Sequence, residues 1–313
     1  MKVHTKLRLL PLVGLFAACN GGTVDDTSSD VPEPTPYIVE DDGNGEIDVD
    51  LAAVEEDLQA VLDTIWTLNA EPVLDAYASV ESEQTEICPR TYVNQGNVYW
   101  FDQCTTEGGT QFSGYGFYYD YVDYPIGEQF VGRLTLLQGA ARVDTAGGNA
   151  LDVAGAAQVI DADHIAQPAR FWQSTLRGTF SWDGPEAQDT WLSTELAPDF
   201  TMQAFYRTDL QGAMVSIDGG LSGMDGVSAV VFDGVAVIDR SLGGMCPEEG
   251  SGAISVRLDD GTWIDVLFDG PDPQTFEGDP AQCDGKGRAY YRGELLGEVE
   301  LDFTTLFFEG APW

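Results

Sequence analysis

From Thr85 onward the chain alternates apolar and polar residues in short runs broken by Gly, Asp or Pro. A period of two sends successive side chains to opposite faces of a strand, which restricts this stretch to β architectures. The runs include Asn97–Phe101, Gln111–Tyr121, Phe130–Leu137, Arg170–Trp182, Ser228–Ile238, Ala253–Leu258, Trp263–Phe268 and Ala289–Leu301. An aromatic-Asp-Gly triplet recurs at Trp182–Gly184, Phe232–Gly234 and Phe268–Gly270. Asp-Gly tolerates positive φ and suits tight hairpin turns. The expected fold is mainly β: an antiparallel, hairpin-rich sheet or sheets, as a sandwich or an open or half-barrel, after a short N-terminal helical segment.

The helical segment is expected over residues 47–82. Leu51, Val54, Leu58, Val61, Ile65 and Leu68 recur at steps of three and four and form one apolar stripe. Asp48 or Asp50 can cap the first helix, and Glu71-Pro72 opens a second with proline in its first turn. The stripe is expected to dock on the β domain, residues 83–313. Within that domain, Cys-Pro (88–89, 246–247) and Gln-Cys (103–104, 282–283) recur, each Gln-Cys followed by an aromatic and a glycine at matching offsets (Phe112 and Gly114; Tyr291 and Gly293). Two related units, about 85–160 and 225–313, fit this pattern, either as two domains or as halves of one sheet.

The N-terminus has a different character. Lys2, Lys6 and Arg8 precede a mostly apolar stretch, Leu9–Phe16, and Ala17-Ala18 leads into Cys19. That is the layout of an export signal, residues 1–18, too short to span a bilayer. It resembles the lipoprotein signals of bacteria, in which the Cys becomes the first mature residue and carries lipid, palmitate included. Here Phe16, not Leu, stands three places before the Cys, and its bulk argues against ordinary small-x-small cleavage. The resemblance implies anchorage by lipid at Cys19, and Asn20 after it implies the outer membrane, facing the periplasm or the cell surface. Residues 19–46 are rich in Asp, Ser, Thr, Pro and Gly, as expected of an acidic flexible tether.

Setting Cys19 aside leaves Cys88, Cys104, Cys246 and Cys283. In an exported chain four Cys point to two disulfides, with three connectivities open. Pairing neighbours, Cys88 with Cys104 and Cys246 with Cys283, closes the shortest loops. Zinc is disfavoured, because no Cys-x-x-Cys pair is present.

Beyond residue 18 the chain has 53 Asp and Glu against 11 Lys and Arg, a formal charge near −42, and Lys286 is its sole lysine. Nucleic acids and anionic lipid heads bind clustered cations, so neither is an expected partner. Two readings fit the acidity: a hydrated surface suited to a saline habitat, or oxygen ligands for divalent cations. Glu40, Asp42 and Asn44 occupy the first ligand positions of a partial calcium loop, but the closing Glu falls on Leu51. Asp42 and Asn44 are therefore the candidate metal residues, and Ca2+ is the cofactor they would take.

No catalytic constellation stands out. His164 is the one histidine beyond the leader, and no Gly-x-Ser-x-Gly elbow is present. Paired carboxylates could hydrolyse glycosides, but among 53 acids none is singled out. The best binding candidate is the aromatic run Tyr115–Tyr124. Strand alternation puts Tyr115, Phe117, Tyr119 and Tyr121 on one face, and Tyr118, Asp120, Val122 and Tyr124 on the other. Tyr115, Tyr118, Tyr119, Tyr121 and Tyr124 offer flat apolar area with hydroxyls, suited to a glycan, a peptide or an envelope-protein partner. The expected role is non-catalytic binding or structure in the cell envelope. The alternatives are a carboxylate-based glycan hydrolase and a periplasmic carrier of lipids or lipoproteins.

Overall fold

The computed structural model describes residues 49–307 except 95–96, 102, 186–189, 195, 225–226, 243–245, 247–248 and 272–283. Packing divides the chain into two units, Met1–Asp50 and Leu51–Trp313, and the elements below belong to the second.

Two helices come first, α1 (Leu51–Thr64) and α2 (Glu71–Glu81), joined by a 3-10 turn at Ile65–Thr67. Pro72 sits in the first turn of α2, where a missing N–H costs nothing. The expected stripe is buried: Val54, Leu58, Val61, Ile65 and Leu68 all lose nearly all their solvent exposure. Each such side chain contributes about 1.5–3 kcal/mol relative to exposure.

Fourteen strands follow among the described residues: β1 (Thr91–Asn94), β2 (Asn97–Phe101), β3 (Cys104–Thr105), β4 (Gln111–Ile126), β5 (Phe130–Asp144), β6 (Ala150–His164), β7 (Ala169–Asp183), β8 (Ala197–Arg207), β9 (Gly212–Ser222), β10 (Ala229–Ile238), β11 (Ser251–Arg257), β12 (Trp263–Asp269), β13 (Lys286–Tyr291) and β14 (Glu294–Glu300). They form a single antiparallel sheet in chain order, with β3 beside β4. β1 and β14 end the strand order, so the described sheet is open. The mainly β, hairpin-rich expectation is met in its open form, and one sheet runs through both proposed units.

One face of this sheet carries the helices. Trp66 of the 3-10 turn meets Trp172 of β7 edge-on at 5.6 Å. The Ala70 N–H donates to the buried Ser174 Oγ at 2.8 Å. Trp66 Nε1 donates to the Leu306 carbonyl at 3.0 Å, fastening a C-terminal 3-10 turn (Phe303–Phe307) to the same core. Strand register puts Leu137, Ala157, Leu176, Phe200, Met202, Ile217, Val230, Ile254 and Val266 on this helix-bearing face, all buried.

The long strands keep their pairing register across a row of glycines. Gly116, Gly139, Gly155 and Gly178 stand directly opposite one another on β4–β7. A Cβ at Gly155 would fall on the Arg177 carbonyl oxygen, and one at Gly178 on that of Ala154. Only glycine permits backbones this close.

Two sequence expectations need correction. Phe232–Gly234 is not a hairpin turn: it lies inside β10, where the register shifts on both sides and Gly234 takes φ 58°. Asp-Gly here supplies a β-bulge, which needs the same positive φ as a turn. The other two triplets mark strand ends, at Asp183 of β7 and Asp269 of β12. Second, Ala289–Leu301 is not one strand but the β13–β14 hairpin. Arg292 and Gly293 turn with φ 48° and 83°, a two-residue loop of the primed type that matches strand twist.

Candidate functional site

The outer face of the sheet, opposite the helices, carries the aromatic row of β4. Phe117 and Tyr119 stack with ring centroids 6.4 Å apart, and Tyr119 and Tyr121 stack at 5.8 Å with their planes 1° apart. Tyr124 then meets Tyr121 edge-on at 5.9 Å. Alternation alone puts Tyr124 on the opposite face, so this position is a correction. Asp123 takes φ 63° and the register slips between Tyr121 and Tyr124, a bulge that adds one residue and returns Tyr124 to the Tyr121 side.

Tyr118 does not belong to this surface. It faces α2, with its ring 4.9 Å from Tyr77. Burial pushes the Tyr77 hydroxyl up to about 12, and burial followed by the nearby Asp120 charge raises Tyr118. Asp120, on the same inner face, is bound through both oxygens by Arg133 at 2.7 Å. That hydrogen bonding holds its carboxyl below the usual carboxylate range. Partial burial raises Tyr119, with Tyr121 and Tyr124 adding to the shift. Four of the five candidate tyrosines, Tyr115, Tyr119, Tyr121 and Tyr124, therefore share the outer face.

Cross-strand register extends this surface. Tyr121, Leu134, Ile160, Gln173 and Gln203 form one row across β4–β8. Tyr119, Leu136, Gln158, Thr175 and Thr201 form the next. Leu134 and Ile160 are buried between their neighbours, whereas Tyr115 is 57% and Tyr121 42% exposed. Gln203 Nε2 donates to Gln173 Oε1 at 3.0 Å, and the Thr175 and Thr201 hydroxyls lie 3.1 Å apart. The result is an aromatic margin on β4 that grades into amides and hydroxyls on β7 and β8.

The remaining candidates are dispersed. Cys88 and Cys104 are disulfide-bonded, with 5.7 Å between their Cα atoms, as neighbour pairing expects. Cys246 is buried in a disulfide, and Cys283 lies outside the described residues, as do Cys19, Asp42 and Asn44. His164 ends β6: its Nδ1 accepts the N–H groups of Ala166 and Gln167, each at 3.0 Å, and its ring packs edge-on against Phe130. It closes a turn, while the nearby Asp161 is engaged by Arg170 at 2.6 Å. Among the described residues, no group of three or more His, Cys, Asp and Glu is placed to hold a metal ion.

Glu249 escaped the sequence reading. It is fully buried, and its Oε2 accepts the N–H groups of Asp284 and Gly285 at 3.0 and 3.1 Å. Burial, with Asp269 beside it, raises its carboxyl to about 7. No local pattern distinguishes it from the adjacent Glu248, since its partners lie 35 residues away.

The class this architecture defines is an open antiparallel meander with its own helices on the inner face and an aromatic outer face. No protein-family model, no curated protein and no solved structure matches the chain.

Proposed function

We propose that this chain is an exported, lipid-anchored protein of the bacterial cell envelope that binds an external ligand without chemical conversion, using the outer face of its sheet. The observation that carries the binding reading is the row of stacked, solvent-reachable rings on β4, in which Tyr121 stays 42% exposed. Aromatic side chains are the usual anchors of recognition surfaces, and a core strand would turn them inward. The leader with Cys19 supports attachment to the membrane by lipid, with an outer-membrane address and the tether of residues 19–46 holding the domain clear of the bilayer.

The carrier alternative needs an open apolar concavity, and the apolar face of this sheet is occupied by α1 and α2. The hydrolase alternative needs two accessible carboxyls, and the one strongly raised carboxyl among the described residues, Glu249, is sealed from solvent.

The test has two arms. Radiolabelled palmitate should enter the wild-type chain and not Cys19→Ser, and Cys19→Ser should leave the membrane fraction. Purified chain should bind envelope or environmental material, and the double variant Tyr119→Ala/Tyr121→Ala should lose that binding while keeping its melting temperature. Label on Cys19→Ser would remove the anchor, and undiminished binding by the double variant would remove the surface.

A further inference from the structure

We propose that the outer face carries a glycan subsite at Arg142 and Asp152, and that the ligand is a neutral polysaccharide running on along the β4 rings. This rests on the binding reading above and adds the chemistry of the ligand. A groove of about 550 Å3 crosses β4–β7 beside the glycine row. Register aligns Ser113, Arg142, Asp152 and Ser181 in one cross-strand row of its lining. The next row on that face runs from Tyr115 through Ala140 and Ala154 to Thr179, so small side chains keep the floor low.

Arg142 is held at 2.7 Å by Asp144 and also by Asp152, while both members of the Arg142–Asp152 pair stay nearly half exposed. A guanidinium–carboxylate pair with the Ser113 and Ser181 hydroxyls on either side offers donors and acceptors to the vicinal hydroxyls of a sugar ring. Tyr115, 57% exposed, supplies the flat face on which the ring's C–H side stacks. Residues 115–121 extend this line by about 20 Å, enough for several sugar units.

Charge selects the class. A chain with a formal charge of −39 repels uronate-, sulfate- or phosphate-bearing polymers. A basic peptide would need free carboxylates, and those at the groove are already bridged by Arg142.

The experiment measures retention of the full chain, in detergent, on immobilised neutral glucans, mannans, galactans and xylans, on sulfated and uronate polymers, and on polylysine. The proposal expects retention on a neutral polymer and none on the anionic ones. Tyr115→Ala and Asp152→Asn should each weaken it about tenfold with unchanged melting. Neutral binding indifferent to both substitutions overturns the subsite. Retention on polylysine or anionic polymers alone overturns the ligand class. If no polymer is retained while Tyr119→Ala/Tyr121→Ala still abolishes binding to envelope material, the glycan inference fails and the binding surface stands. If neither is seen, both fail.

Discussion

The backbone N–H of Glu300 donates to the Glu55 carboxylate at 2.9 Å, tying the last residue of β14 to α1. One turn further along α1, Gln59 accepts the Asp302 N–H at 2.8 Å and donates to its carbonyl. Strand β14 ends the sheet order, and an end strand presents unpaired backbone groups that invite another chain. Side chains of α1 satisfy part of that edge. Glu55→Ala should destabilise the fold by about 1 kcal/mol, whereas Glu55→Gln, which keeps an acceptor oxygen, should stay close to wild type in urea titration. Equal losses for the two would show that the hydrogen bond contributes nothing.

The glycine row predicts a steric asymmetry. Gly155→Ala drives a methyl group into the Arg177 carbonyl and should lower stability by about 3 kcal/mol, the upper end of what overpacking costs. Gly108→Ala, whose new methyl reaches only Thr106 Oγ1 at 3.6 Å, should change it by less than about 0.5 kcal/mol. Chemical denaturation of the two variants side by side decides the point.

Adjacent tyrosines should behave oppositely. Tyr118→Ala removes a half-buried ring packed on Tyr77 and should cost about 1–2 kcal/mol. Tyr121→Ala, at an exposed position, should leave the melting temperature within a degree or two of wild type, about 0.5 kcal/mol. Comparable losses would place both rings in one core.

Glu249 makes stability depend on pH. Its carboxyl ionises near 4.5 when unfolded and near 7 when folded, so the folded state holds the proton more tightly. Its contribution is fully present below about 4.5 and is lost as pH rises through about 7. Glu249→Gln should flatten that part of the pH–stability curve relative to wild type, measured at constant ionic strength to separate it from general charge repulsion. Parallel curves for the two proteins would remove the assignment.

Most of the architecture was legible because period-two alternation and turn residues act locally. The Leu51–Leu68 stripe, Pro72 in the first turn of α2 and the Cys88–Cys104 bridge all stand where spacing puts them. What was not legible depends on register. The face of Tyr124 turns on one extra residue at Asp123, and Asp-Gly at 233–234 serves a bulge and not a turn. Positive φ can be read from residue type, but whether it reverses the chain or only kinks it depends on the strands alongside. The groove at Arg142 and Asp152 gathers its lining from four strands, and the Glu249 contacts join loop residues 35 apart in the chain, so neither shows in a local pattern.

The central claim is that the tyrosines of β4 divide into an inner ring and an outer binding row. Iodination of the folded chain, mapped residue by residue with and without bound ligand material, tests it most directly. Tyr115 and Tyr121 should react readily when free and become protected on binding, while Tyr77 stays unreactive throughout and Tyr118, half-buried against it, reacts more slowly than Tyr121 and at a rate unchanged by binding. Tyr118 reacting as fast as Tyr121, or Tyr121 remaining unprotected in the bound state, would contradict the account.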